Sequence, residues 1–143
     1  MFDRPVRSVM QRRKIIKAPP DTLVSKAANL MATTNVGAVM VVEGERLVGI
    51  FTERDVVFRV VAHGRDPQAT RIAEVMTPTP RTIDPDAPFG YALSVMHEGG
   101  FRHLPVIEHG KPVGIVSARS AMDPELEDFV SEAQRRKYFA QKG

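Results

Sequence analysis

The segment GIFTERD, Gly49–Asp55, has a near copy, GIVSARS, at Gly114–Ser120. The two lie 65 positions apart, and the same offset places Asp21 on Asp86, Ala27 on Ala92, Met31 on Met96 and Val41 on Val106. Upstream, Val9-Met10 matches Val75-Met76 at an offset of 66, so one residue has been gained or lost between them. A unit of about 60 residues buries too little surface to be comfortable alone. Two copies with matching apolar faces therefore pack on each other about a pseudo-twofold axis. Such packing leaves equivalent clefts between them, each bordered by both copies.

Each copy carries the same pattern. A proline-rich start (APPD, then DPDAP) leads into a helix, with Asp21 and Asp86 expected as N-caps. Apolar residues recur at helical spacing, Val24, Ala27, Ala28 and Met31 in one and Phe89, Ala92, Leu93 and Met96 in the other. A buried strand follows, Ala38–Val42 or Leu104–Ile107. EGER or EHGK then turns the chain into a second strand, Val48–Thr52 or Val113–Ser117. After GIFTERD, Val56, Val57, Val60 and Val61 predict a further helix that closes at Gly64. The expected division is 1–67 for the first repeat, 68–122 for the second and 123–143 for a C-terminal helical tail. In that tail Asp123 is the expected N-cap, Pro124 the first helical residue, and Leu126, Phe129, Val130 and Ala133 an apolar stripe.

Composition narrows the chemistry. The chain has no cysteine, which excludes disulfides, thiolate catalysis and sulfur-bound zinc, and fits a reducing cytoplasm. His63, His97, His103 and His109 lack metal-site spacing, so no metal is expected. No apolar run reaches the roughly 18 residues that span a bilayer. The sequence has no GxSxG, Walker A or HExxH pattern and no nucleophile beside a base, so it does not read as an enzyme. The net charge of +3 favours an anionic partner. The basic residues at the two ends lack interleaved aromatics or a binding motif, which makes nucleic acid the weaker candidate.

At a strand end that opens a helix, free backbone amides and the positive end of the dipole face any anion in the cleft. The Thr52 hydroxyl adds a donor to phosphate or ribose. Asp55, three residues on, lies one turn along on the same side. Its carboxylate only accepts hydrogen bonds, which suits the paired hydroxyls of a ribose. The competing reading is that Thr52 and Asp55 simply cap the following helix.

The order VM, proline-rich start, helix, VVEGERLVGIFTERD, then VM, DPDAP, helix, FRHLPVIEHGKPVGIVSARS resembles a tandem pair of cystathionine-beta-synthase (CBS) domains, also called a Bateman module, over roughly residues 6–120. The resemblance implies an α+β fold of two β-α-β-β-α repeats about a pseudo-twofold axis. It also implies a nucleotide pocket that takes its acid from one repeat and its opening strands from the other. Carried over by position, the first pocket comprises Gly49, Ile50, Thr52, Arg54 and Asp55, with Thr79–Ile83 (Arg81, Thr82 and Ile83 in particular), and with Phe101, Arg102, His103 and Arg119. Phe101 or its neighbours would pack on adenine, and Arg102, His103 and Arg119 would face phosphate. The second, weaker pocket comprises Ile16, Lys17, Ala18, Val36, Gly37, Ala38, Gly114, Ser117 and Ser120. There Ser120 stands where Asp55 stands in the first, and one weak bond replaces two charge-assisted ones.

The function so implied is that of a regulatory, signal-transducing protein of the cytoplasm. It would bind AMP, ADP or ATP, or else NAD(H) or S-adenosylmethionine, and change shape or partner contacts in response. A homodimer and an unnamed regulated protein are the expected partners. A protein-interaction module with vestigial pockets is the alternative.

Overall fold

The structure, a computed structural model, describes residues 2–122 together with 136 and 137. The expected tail helix and its Asp123 cap therefore lie outside the described residues. Within them the first repeat runs β1 (Ile16–Ala18), α1 (Val24–Thr34), β2 (Ala38–Glu43), β3 (Arg46–Thr52) and α2 (Glu53–Asp55), which continues as a π-helical stretch, Val56–Val61. A crossover segment holds α3 (Ile72–Val75) and β4 (Thr77–Pro78). The second repeat contains α4 (Phe89–Gly99), β5 (His103–Glu108), β6 (Lys111–Ser117) and a 3-10 turn, Ala118–Met122.

The two repeats share their details. Helix α1 buries Val24, Ala27 and Met31 and ends at Asn35 in the left-handed region. Helix α4 buries Phe89, Ala92, Val95 and Met96 and ends at Gly100 in the same conformation. Both hairpins turn on two residues, Gly44-Glu45 and His109-Gly110, and both ladders slip register at the same place, Val41/Val42 and Val106/Ile107. The first sheet has the order β1-β2-β3-β4. In the second, the two outer strands shrink to single bridges, Ile83 beside Val106 and Gln11 beside Ile115.

Those outer contacts cross between repeats. β4, from the segment that leads into the second repeat, pairs with β3 at Gly49 and Ile50. Gln11, from the start of the chain, pairs with β6 of the second repeat. The cores follow the same exchange. Val6 is buried with Phe89, Leu104 and Val116, while Ile72 and Val75 are buried with Val24, Val39 and Phe51. Each Val-Met pair thus packs with the β-hairpin of the other copy. A third, smaller cluster of Ala38, Ile50 and Ile115 joins the repeats directly, and Lys111 reaches Glu45 at 2.9 Å between the two hairpin tips.

This exchange corrects the expected helix caps. Asp21 and Asp86 cap nothing; the helices start later, after Leu23 and Pro88, without a side-chain cap bond. Their free amides are satisfied by distant backbone instead. Val24 N–H donates to Thr70 O at 2.8 Å and Ser25 N–H to Pro67 O at 2.9 Å. Phe89 N–H donates to Arg4 O at 2.7 Å and Gly90 N–H to Phe2 O at 2.9 Å. A backbone partner brought by tertiary packing removes the need for a capping carboxylate.

Candidate functional site

The end of β3 carries GIFTERD to the boundary between repeats. Thr52 is extended, Glu53 begins α2, and Asp55 comes to rest only 7% exposed. Its Oδ2 accepts the Thr52 N–H at 2.9 Å and the Thr52 hydroxyl at 3.3 Å, while Oδ1 faces Arg59 Nε at 3.4 Å. This is a capping-box arrangement, so the residues do cap their helix. Burial pushes the Asp55 carboxyl above the usual aspartate range, against the opposing pull of the Thr52 bonds and of the Arg59 and Arg54 charges.

Asp55 also borders a cavity of about 670 Å³ between the repeats. From the first repeat come Ile50, Thr52, Glu53, Arg54, Asp55, Phe58 and Arg59. The crossover supplies Thr77, Thr79, Pro80 and Arg81, and the α4–β5 junction supplies Gly99 to His103. The wider π-helical turns carry Phe58 and Arg59 to this wall. Arg54 lies over the Phe58 ring, 4.8 Å from its centroid. Arg59 is a strut, because its Nη1 also donates to the carbonyls of Val75 and Met76 at 3.1 and 3.0 Å. Arg54, Arg81 and Arg102 are exposed on the cavity and engage no carboxylate among the described residues. His103 Nε2 lies 3.2 Å from Glu53 Oε1.

Of the residues expected in the first pocket, Ile50, Thr52, Arg54, Asp55, Arg81, Phe101, Arg102 and His103 meet around this cavity. Gly49 is not part of the lining: it pairs with Pro78, and Met76 fills the space that a side chain there would take; Ile83 is buried in the second core; and Thr82 is on the surface. Arg119 borders a different cavity of about 400 Å³, together with Val36, Gly37, Met31 and Glu53. The remaining second-pocket residues are dispersed. Ile16 and Ala18 are in the first core, Ala38 packs on Ile50 and Ile115, and Lys17 Nζ donates to Pro112 O at 3.2 Å. Gly114 packs against Met10 and Gln11. Ser117 and Ser120 bond each other, with their hydroxyl oxygens 2.9 Å apart. Glu53, Phe58, Arg59, Thr77, Gly99 and Gly100 were not expected from the sequence. The i+3 and i+4 positions after Asp55 would have pointed to Phe58 and Arg59.

An acceptor-only carboxylate, apolar surface and a rim of exposed guanidinium groups can hold a ligand with a diol, a flat ring and a phosphate. Among the described residues no group of three His, Asp or Glu is placed to hold a metal ion, and no helix is long and apolar enough to cross a membrane.

The CBS-domain family model matches residues 6–62 and 72–124. The chain belongs to that family and holds two CBS domains in tandem. A CBS domain-containing protein of Arabidopsis thaliana, CBSCBSPB1, is 39% identical over 105 residues, which are 72% of this chain and 19% of that protein. The chain thus spans about a fifth of that relative's length. Among solved structures, a putative signal-transduction protein with CBS domains from Burkholderia ambifaria is 33% identical, with a TM-score of 0.78 over 86% of this chain and 92% of that one. The CBS domain protein PAE2072 of Pyrobaculum aerophilum, complexed with AMP, shares the fold at 23% identity, with a TM-score of 0.75 over 82% of this chain and 89% of that one.

Proposed function

We propose that the chain is a regulatory module of the cytoplasm that binds an adenosine nucleotide in the larger cavity, without catalysing a reaction. The observation that carries this reading is the meeting, around one cavity, of the Asp55 carboxylate from one repeat with Phe101, Arg102 and His103 from the other. Asp55 would accept the ribose hydroxyls, Ile50, Pro80 and Phe101 would enclose the base, and Arg54, Arg81, Arg102 and His103 would face phosphate. AMP, ADP and ATP fit this lining better than cationic S-adenosylmethionine, because Arg54, Arg81 and Arg102 all border the cavity; NAD(H), which also carries phosphate, is the next candidate. PAE2072, which shares the fold, has AMP bound. Because the cavity wall comes from both repeats, an occupant ties them together and shifts the population of their relative arrangements.

The exposed apolar side chains Val57, Phe58 and Val61 on the π-helical stretch favour a protein surface there, either a second copy of the chain or the regulated partner. A thermal-shift panel of AMP, ADP, ATP, NAD, S-adenosylmethionine, adenosine and a single-stranded oligonucleotide tests the reading. A saturable rise in Tm with the phosphorylated adenosines supports it. A response to the oligonucleotide alone, falling steeply with salt, would replace it with nucleic-acid binding.

A further inference from the structure

The contact between Glu53 and His103 is not required by the fold. The repeat offset of 65 places Ala118 on Glu53 and Ala38 on His103, so the equivalent junction carries two alanines, one from each repeat. Glu53 is nonetheless held in place. Its backbone N–H donates to Gly37 O at 3.0 Å, and its carboxylate occupies the space that a side chain at residue 37 would fill. From there Oε1 reaches His103 Nε2, whose side chain is 16% exposed and part of the cavity wall. The backbone of Glu53 is fixed, but its side chain is 61% exposed, so leaving His103 opens it to solvent rather than to a packed wall. It also borders the neighbouring cavity with Arg119, so a carboxylate that leaves His103 has a cation to turn towards.

We propose that Glu53 is a built-in anion that holds the phosphate-facing His103 and must be displaced by the phosphate of the bound nucleotide, which makes it a determinant of how strongly phosphate is preferred. The inference rests on the nucleotide reading above. A phosphate brought to His103 meets the carboxylate at the same nitrogen, and two anions cannot share one donor at hydrogen-bond distance. Displacing an exposed carboxylate costs little but not nothing. Glu53 therefore lowers the advantage of a phosphorylated ligand over bare adenosine without closing the cavity.

The test is calorimetric titration of the full chain with AMP and with adenosine, for wild type, Glu53→Gln, His103→Ala and the double variant. Glu53→Gln should raise the ratio of AMP to adenosine affinity by about two- to fivefold. The gain should shrink as salt is added and vanish in the His103→Ala background. Glu53→Ala, which removes the acceptor as well as the charge, should raise the ratio in the same direction. An unchanged or lowered ratio in Glu53→Gln overturns the inference, as does a gain that survives His103→Ala. Binding of neither AMP nor adenosine by any of the five proteins overturns the nucleotide reading itself, and this inference with it.

Discussion

Asp55 Oδ2 accepts the backbone N–H of Thr52 at 2.9 Å while the same carboxylate forms part of a cavity wall. One group is thus both a helix cap and a candidate ribose acceptor. The two readings of GIFTERD are not exclusive, because a carboxylate has about four acceptor positions and the cap uses only some of them. A variant at this position therefore has two effects to be separated.

Asp55→Ala should weaken adenosine-nucleotide binding by roughly ten- to a hundredfold, from the loss of charge-assisted bonds of about 1.5–3 kcal/mol. The loss of the cap should lower folding stability by about 1 kcal/mol. A 2′,3′-dideoxy ligand separates the two effects. It should bind the wild type poorly and be almost indifferent to the substitution. Equal nucleotide affinities for wild type and Asp55→Ala in calorimetry would remove Asp55 from the site.

The raised pKa of Asp55 sets a pH dependence. Between the ordinary aspartate value and the raised folded value, the folded chain holds a proton that the unfolded chain has lost. Folding stability from this group accordingly falls as pH rises through that window and stays lower above it. Asp55→Asn keeps an acceptor for Thr52 and removes the titration. Its urea midpoint should gain on the wild type as pH rises above the ordinary aspartate value of about 4, and the gain should level off once the folded-state carboxyl is ionised. A difference of the opposite slope would mean that the Thr52 and arginine contacts outweigh burial. Nucleotide binding through ionised Asp55 should strengthen with pH over the same window.

Duplication made the fold legible, since the same hairpin, helix and turn are written twice and each copy checks the other. The Asp55 side of the cavity was legible for the same reason. Partners brought from far along the chain were not. The expected caps at Asp21 and Asp86 followed a sound local rule, but Thr70 O and Arg4 O meet those helix starts instead. Glu53 carries no signal in the sequence, because its partner, His103, is 50 residues away and the equivalent pair, one residue from each repeat, is Ala118 and Ala38. Arg119 was grouped with His103 as a phosphate contact, yet it borders the neighbouring cavity.

The opening segment should behave as part of the second repeat's core. Val6 is fully buried there, its N–H donates to Ala87 O at 2.9 Å, and Arg7 bonds both Asp86 and Glu108. Val6→Ala should cost about 2 kcal/mol, read as a lower urea midpoint with an unchanged slope. Arg7→Ala should lower the midpoint much less than Val6→Ala, because its ion pairs are exposed to solvent and screened. A Val6→Ala midpoint equal to wild type would detach this segment from the core.

Gly49 and Gly114 are equivalent in sequence but not in what surrounds them. A methyl group at residue 49 would meet the thioether of Met76, the far end of a flexible side chain. At residue 114 it would lie 2.7 Å from the carbonyl oxygen of Gln11, a group fixed by the backbone bonds between Gln11 and Ile115. Gly114→Ala should therefore destabilise by about 1–3 kcal/mol and Gly49→Ala by less. Thermal unfolding of the two variants side by side checks the order, and the reverse order would show that Met76 is the more rigid neighbour.

The two repeats should not bind nucleotide equally, and the reason lies in three replaced positions as well as the lost acid. Where the larger cavity has Phe101, Arg102 and His103, the offset puts Val36, Gly37 and Ala38, which offer neither a ring nor a cation. Where Asp55 offers a carboxylate, Ser120 has a hydroxyl already bonded to Ser117 Oγ at 2.9 Å, and its own N–H donates to that same oxygen at 3.1 Å. The missing charge-assisted bonds alone are worth about 1.5–3 kcal/mol, or roughly ten- to a hundredfold in affinity. One adenosine-nucleotide site per chain is therefore expected at micromolar ligand. Ser120→Asp should restore a second site only in part, because Phe101, Arg102 and His103 have no ring or cation as counterparts there and Arg119 is the cation that borders it among the described residues. Asp55→Ser should leave no site of micromolar affinity. Calorimetric stoichiometry decides the matter: two equal sites per wild-type chain would show that neither the acid nor the Phe-Arg-His triplet sets the affinity.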